Sequence, residues 1–299
     1  MIDIRLPLTK YRRKPILYFV YAMKYKNYGS TIMRGEQLSN IVSSYSNIET
    51  SFLPISTKFK NSTLLLTKGV MLDIGQEYLE ILLKKNNRLI FDPVDLPVPD
   101  YITRYATVLI AASRSAYREY TTKFPNSRVV IVDHHADPRI PKKISKYHNT
   151  FEVGYFGEPQ NTVITKGISD IVDIIPTPTA YKDDAWLQKT GNYSLHYAIR
   201  KQQSFDGFKP FTKGFTAARC GANILTQRDY ESEFWLGKDY PYLIDYNSNE
   251  KEIINALNLA KNTFQTNRWY RAIEVMEELQ VKVSAKNIAQ QVVNMIESI

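Results

Sequence analysis

One cysteine, Cys220, stands in 299 residues. No internal disulfide can form, and a reducing compartment is the natural setting. The sequence carries no internal repeat and no low-complexity tract, which excludes solenoid and fibrous architectures. A basic N-terminus (Arg5, Lys10, Arg12, Arg13, Lys14) is followed by the apolar run Ile16 to Met23. That run is far shorter than the roughly 20 residues a membrane-spanning helix needs, and it reads as a first core strand. No basic-aromatic motif of a nucleic-acid-binding module is found, so nucleic acid is the least supported anionic partner.

What is present is ordinary globular composition: 43% hydrophobic and 23% charged residues in a chain long enough for two domains of about 150 residues. The net charge of +9 is uneven. Residues 1 to 140 carry 20 Lys and Arg against 12 Asp and Glu, whereas residues 151 to 299 carry 16 against 18. The basic half would face a membrane surface or a phosphorylated acceptor, or it serves solubility alone.

Apolar runs alternate with helical patterns. Strand candidates are Ile16–Val20, Glu49–Leu53, Thr63–Leu66, Arg88–Phe91, Ala106–Ala111 and Arg128–Val132, with a helix over about Thr31–Ser44 whose inner positions are Met33, Leu38, Ile41 and Val42. After a lysine-rich stretch the alternation restarts with Phe151–Phe156, Ile168–Ile175, Tyr193–Ile199 and Asn223–Thr226. From Glu250 the chain reads as two or three helices. This predicts an α/β protein of two Rossmann-like domains facing across a cleft: residues 1–140, a linker at 141–150, and residues 151–299 with the terminal helices.

The segment Lys209-Pro210-Phe211-Thr212-Lys213 sets two cations and a hydroxyl at a helix start, followed by the small residues Gly214, Ala217, Ala218 and Gly221. A helix N-terminus offers unpaired N–H groups and a positive dipole end, so this is an anion site in outline, suited to a diphosphate. An ordinary surface helix with solvated lysines is the competing account.

In order along the chain, four motifs resemble the GT-B glycosyltransferases, in the branch of retaining enzymes that build polysaccharide and lipopolysaccharide. Tyr28-Gly29-Ser30-Thr31 followed by Met33 to Leu38 resembles the glycine loop and helix after the first strand, and Phe124 to His135 the last strand of the N-terminal domain with its His-rich end. Val153 to Pro159 is similar to the strand and glycine turn that open the C-terminal domain, and Lys209 to Gly221 to the donor-site helix. The resemblance implies a nucleotide-sugar donor on the second domain, held by Gly157, Glu158, Lys209, Thr212 and Lys213, with Gly29 and Ser30 facing it. It implies a glycan or lipid-linked acceptor on the first domain. Lys213 would act in catalysis, and His134 or His135 would hydrogen-bond the transferred sugar or accept a proton. Fixed cations that stabilise the leaving diphosphate can replace a metal ion, so neither metal nor cofactor is expected. The setting would be cytoplasmic, at the inner face of an anionic membrane.

Two other readings stay open. Val132-Asp133-His134-His135-Ala136 also matches the short signature of DHH phosphoesterases, whose Asp and His ligate paired metals. That chemistry needs further carboxylates, and Val20 to Gly29 holds none; Asp92 and Asp95 are the available substitutes, but Lys209 to Lys213 would then go unexplained. A catalytically silent sugar- or nucleotide-binding protein on the same fold is the third reading.

Overall fold

The computed structural model describes residues 16–142, 148–177, 184–201 and 206–299. The basic N-terminus and residues 143–147 of the expected linker lie outside these.

The chain builds two parallel sheets. The first comprises β1 (Ile16–Tyr21), β2 (Glu49–Pro54), β3 (Thr63–Thr67), β4 (Arg88–Asp92), β5 (Val108–Ala111) and β6 (Val129–Ile131), in the order β2-β1-β3-β4-β5-β6. The run Thr-Leu-Leu-Leu-Thr of β3 shows why helices cover both faces. Leu64 and Leu66 enter the core on one side and Leu65 the core on the other, all fully buried. Side chains alternate along a strand, so an unbroken apolar run needs cover on both faces.

The second sheet comprises β7 (Val153–Gly157), β8 (Asp173–Pro176), β9 (Leu195–Tyr197), β10 (Asn223–Gln227) and β11 (Leu243–Ile244), in the order β11-β10-β9-β7-β8. The apolar run Ile168–Ile175 divides into a helical turn, Lys166–Ser169, and β8. β11 was not expected: two residues are too short for a periodic signal. The core of this domain is aromatic, with Tyr155, Tyr197, Phe215, Trp235 and Trp269 packed together.

The three C-terminal helices are Glu250–Thr263, Asn267–Lys282 and Ala285–Glu297. The sequence reading groups the last of them with the second domain. Its apolar face, Ile288, Val292 and Met295, instead joins Leu17, Phe19, Leu38 and Val42 in the core of the first.

Candidate functional site

Every strand of a parallel sheet ends at the same edge, and the loops leaving that edge carry the groups that meet a ligand. Here the two edges oppose each other across a cavity of about 570 Å³. From the first domain it is lined by residues that follow β1 (Tyr28, Gly29, Ser30), β3 (Lys68), β4 (Asp95) and β6 (His134). From the second it is lined by Glu158 after β7, Thr177 after β8, and Arg200, Lys209 and Thr212 after β9.

Gly29 and Ser30 open a helix in three segments: Gly29–Thr31, a π-helical turn at Ile32–Gln37, and Leu38–Tyr45. The wider turn carries Arg34 and Gln37 into the interior, and both work there. Arg34 is fully buried. Its Nε donates to Asp92 Oδ2 at 2.7 Å, its Nη1 to the carbonyl of Asp133 at 2.8 Å and its Nη2 to the carbonyl of Val132 at 3.0 Å. One guanidinium therefore fixes the ends of β4 and β6 together, immediately before His134.

His134 Nδ1 lies 3.0 Å from the carbonyl of His135, which can only accept, so Nδ1 carries the proton. Burial, and next the nearby Arg34 cation, push its pKa down to about 3. The ring is neutral, and its Nε2 is left as an acceptor at the cavity wall. His135 is not among the cavity residues. Its Nε2 donates to Gln37 Oε1 at 3.0 Å, while Gln37 Nε2 donates to Asp137 Oδ1 at 2.9 Å. The two rings lie close, 5.5 Å between centres, and their partners separate them: one histidine reaches the cleft and the other braces the loop.

Asp133 is committed elsewhere. Arg114 pairs with its carboxylate, and Gln291 of the last helix donates to Oδ2 at 2.9 Å while accepting from the Asp133 N–H at 2.7 Å. Asp133, His134 and His135 do not converge, and among the described residues no group of three His, Cys, Asp or Glu comes together. The geometry that the phosphoesterase signature would need is missing.

On the second domain the helix Thr212–Arg219 begins with no side-chain cap; the Thr212 N–H is taken by the Pro210 carbonyl at 2.8 Å, and the next N–H groups of the first turn have no side-chain partner where Thr212 lines the cavity. Lys213 is placed differently from expectation. Its Nζ donates to the carbonyl of Phe156 and sits 4.3 Å from the centre of the Tyr155 ring. With Gly157 it lines an adjoining recess of about 210 Å³, which shares Met33, Thr177 and Thr212 with the main cavity. Burial, with the cations of Arg200 and Lys209, pulls the Lys213 pKa down to about 7. Gly157 makes room for this amine, because a Cβ there would come within 2.8 Å of Nζ. Glu158 accepts from Gln160 Nε2 at 2.9 Å and Asn161 Nδ2 at 3.1 Å, which holds its carboxylate at the cavity.

The sequence reading missed Arg34, Arg200 and Lys68, and it considered Asp95 only as a carboxylate for the phosphoesterase chemistry. Arg200 lies just past the end of β9, and Asp95 just past β4, so a survey of strand ends would have found both. Arg34 leaves a fainter trace. Met33 and Leu38, expected on one inner face, are five apart, one more than an α-helical step, and only Leu38 is buried while Met33 lines the cavity.

No family model matches the sequence, and no curated protein matches it. Solved structures do match. The Anabaena HepE protein in complex with UDP-glucose has a TM-score of 0.64 at 10% identity, covering 95% of this chain and 100% of that one. A glycosyltransferase from Rickettsia africae gives 0.64 at 7% identity, covering 96% and 98%. The pneumococcal O-GlcNAc transferase GtfA with UDP and GlcNAc gives 0.55 at 12% identity, covering 80% of this chain and 57% of that one. Two parallel sheets meeting edge to edge, in a chain that follows HepE and the Rickettsia protein over nearly its whole length, is the GT-B fold.

Proposed function

We propose that the protein is a glycosyltransferase that moves a sugar from a nucleotide-sugar donor to a glycan or lipid-linked acceptor. The observation that carries this reading is the opposition, across one cavity, of Arg200, Lys209 and the uncapped helix start at Thr212 to His134 and the Gly29–Ser30 turn. Breaking the bond between the sugar and the β-phosphate leaves negative charge on the diphosphate. Fixed cations and oriented N–H groups stabilise that charge without reorganising, and can do so without a metal ion. Lys213 lies just behind them, so an arriving diphosphate would restore its full charge at neutral pH. Glu158 suits ribose or sugar hydroxyls, and His134 Nε2 can accept from one hydroxyl of the transferred sugar.

HepE and GtfA bind UDP or UDP-glucose in their crystals, which supports a uridine donor. The cationic surplus of the first 140 residues supports an anionic membrane or lipid-linked acceptor in the cytoplasm. No helix among the described residues is long and apolar enough to cross a membrane.

UDP and UDP-glucose at about 100 times Kd should add about 2.7 kcal/mol of stability, read as a rise of several degrees in Tm. The rise should survive EDTA and vanish in Lys209→Ala. If no nucleoside diphosphate or sugar nucleotide shifts Tm, the proposal fails. Ligand binding without sugar transfer to any acceptor would favour the catalytically silent reading instead.

A further inference from the structure

Opposite the cations, the first domain presents a wall of different chemistry. Tyr25 and Tyr28 meet edge to face with ring centres 5.3 Å apart, and both line the cavity beside Leu72. Tyr28 is 41% exposed and Leu72 54%, high values for apolar groups facing a cleft. Tyr25 can lie against the helix Lys68–Asp73 that follows β3 because residue 69 is glycine: a Cβ there would stand 2.6 Å from Tyr25 Cβ.

Among these rings sits one ion pair, Lys68 Nζ to Asp95 Oδ1 at 2.6 Å, with both side chains partly open to the cavity. The turn that carries Asp95 is strained. Val94 has φ +64°, and the Asp95 N–H donates to the carbonyl of Pro93 at 2.9 Å, which closes a γ-turn of the rare positive-φ kind. A β-branched residue in that region is a genuine outlier, held only where its surroundings over-determine it. Here the surroundings are visible. Asp92, two residues before Val94 at the end of β4, is fully buried and held by buried Arg34, which fixes the chain where it enters the turn. The fold thus keeps a strained turn whose consequence is an Asp95 carboxylate beside the rings.

We propose that this wall is the acceptor subsite and that it takes a neutral sugar ring with adjacent hydroxyls. The proposal rests on the transferase reading. Aromatic faces attract the polarised C–H bonds of a pyranose, and a paired carboxylate and ammonium can accept from one hydroxyl and donate to its neighbour. An anionic headgroup fits poorly, because Asp95 already neutralises Lys68 and would itself repel a phosphate.

The experiment uses the full chain on an array of neutral and anionic oligosaccharides with UDP present, with UDP affinity measured separately by calorimetry. Neutral glycans should be retained. Tyr28→Ala and Asp95→Asn should each cut retention tenfold or more and leave the Kd for UDP within twofold. Val94→Gly serves as a variant that keeps the rings and relieves the turn. It should raise Tm yet weaken retention, because the carboxylate is no longer held. Retention confined to phosphorylated, sulfated or uronic-acid glycans would overturn the proposal. So would UDP binding with no glycan retained, or variants that retain glycan like the parent. Glycan retention without UDP binding would instead sink the transferase reading and leave the subsite standing.

Discussion

His134 and His135 are chemically identical neighbours, and only their hydrogen-bond partners separate a group available to a ligand from a brace. The pair was visible in the sequence. Which one meets the cleft was not, since the deciding partners Gln37 and Asp137 come from segments 100 positions apart. Burial also holds His196 near pKa 3 and His135 well below the usual imidazole range. The sign follows from comparing folded and unfolded chains. An unfolded histidine takes up a proton near pH 6.5, and folded His134 and His196 do so only near pH 3, with His135 also shifted well down by burial, so the unfolded state binds more protons between those values. Their stabilising effect is complete above pH 6.5 and is lost as the pH falls toward 3. Each contributes a slope of about 1.4 kcal/mol per pH unit within that window. Tm should therefore drop steeply from pH 6.5 to 4.5 while changing little from 6.5 to 7.5. A flat profile across the acid range would contradict the neutral, buried state of all three.

The first helix shows what element-scale reading recovers. Periodicity gave its extent and its inner residues Leu38, Ile41 and Val42, all buried in the structure. It did not give the π-helical turn, because a turn widened by one residue is stabilised by what it meets, here Asp92 and the β6 exit. A lone arginine in a polar stretch reads as a surface residue until those acceptors are placed. Their placement depends on strand order, which a single sequence does not show. The buried pair makes a sharp expectation. Arg34→Met leaves the Asp92 carboxylate buried without its cation and frees the carbonyls of Val132 and Asp133, at a cost of about 3–5 kcal/mol. The double variant Arg34→Met with Asp92→Leu should recover much of that loss, since the costly item is the unpaired charge. Urea unfolding of the two variants measures both quantities. Equal stabilities for the single and double variants would show that the pair is not what holds the β4 and β6 ends together.

At the scale of the molecule, two alternating units and a run of terminal helices were legible, because parallel sheets and amphipathic helices each leave a period. The connections between the units were not. Glu231 of the second domain accepts from the Ser115 N–H at the start of a first-domain helix, 2.8 Å away, and Arg114 beside it lies over the rings of Phe234 and Trp235 at 4.6 Å from each centre. The last helix returns across this junction. Ile288, Val292 and Met295 follow helical spacing, which states that the face must be buried but not against what. Fully burying three such side chains is worth about 1.5–3 kcal/mol each, a sum comparable with the 5–15 kcal/mol that holds a whole domain folded. A chain ending at Lys282 should consequently lose cooperative structure in the first domain and keep the aromatic core of the second. It would also lose the Gln291 bonds that steady Asp133 one residue before His134. Hydrogen exchange resolved by segment distinguishes the outcomes: amides of β1 and β3 should exchange rapidly in the truncated chain, while those of β9 and β10 stay protected. Protection of β1 and β3 equal to that of the full chain would mean that the returning helix only rests on the first domain and contributes little to holding it folded.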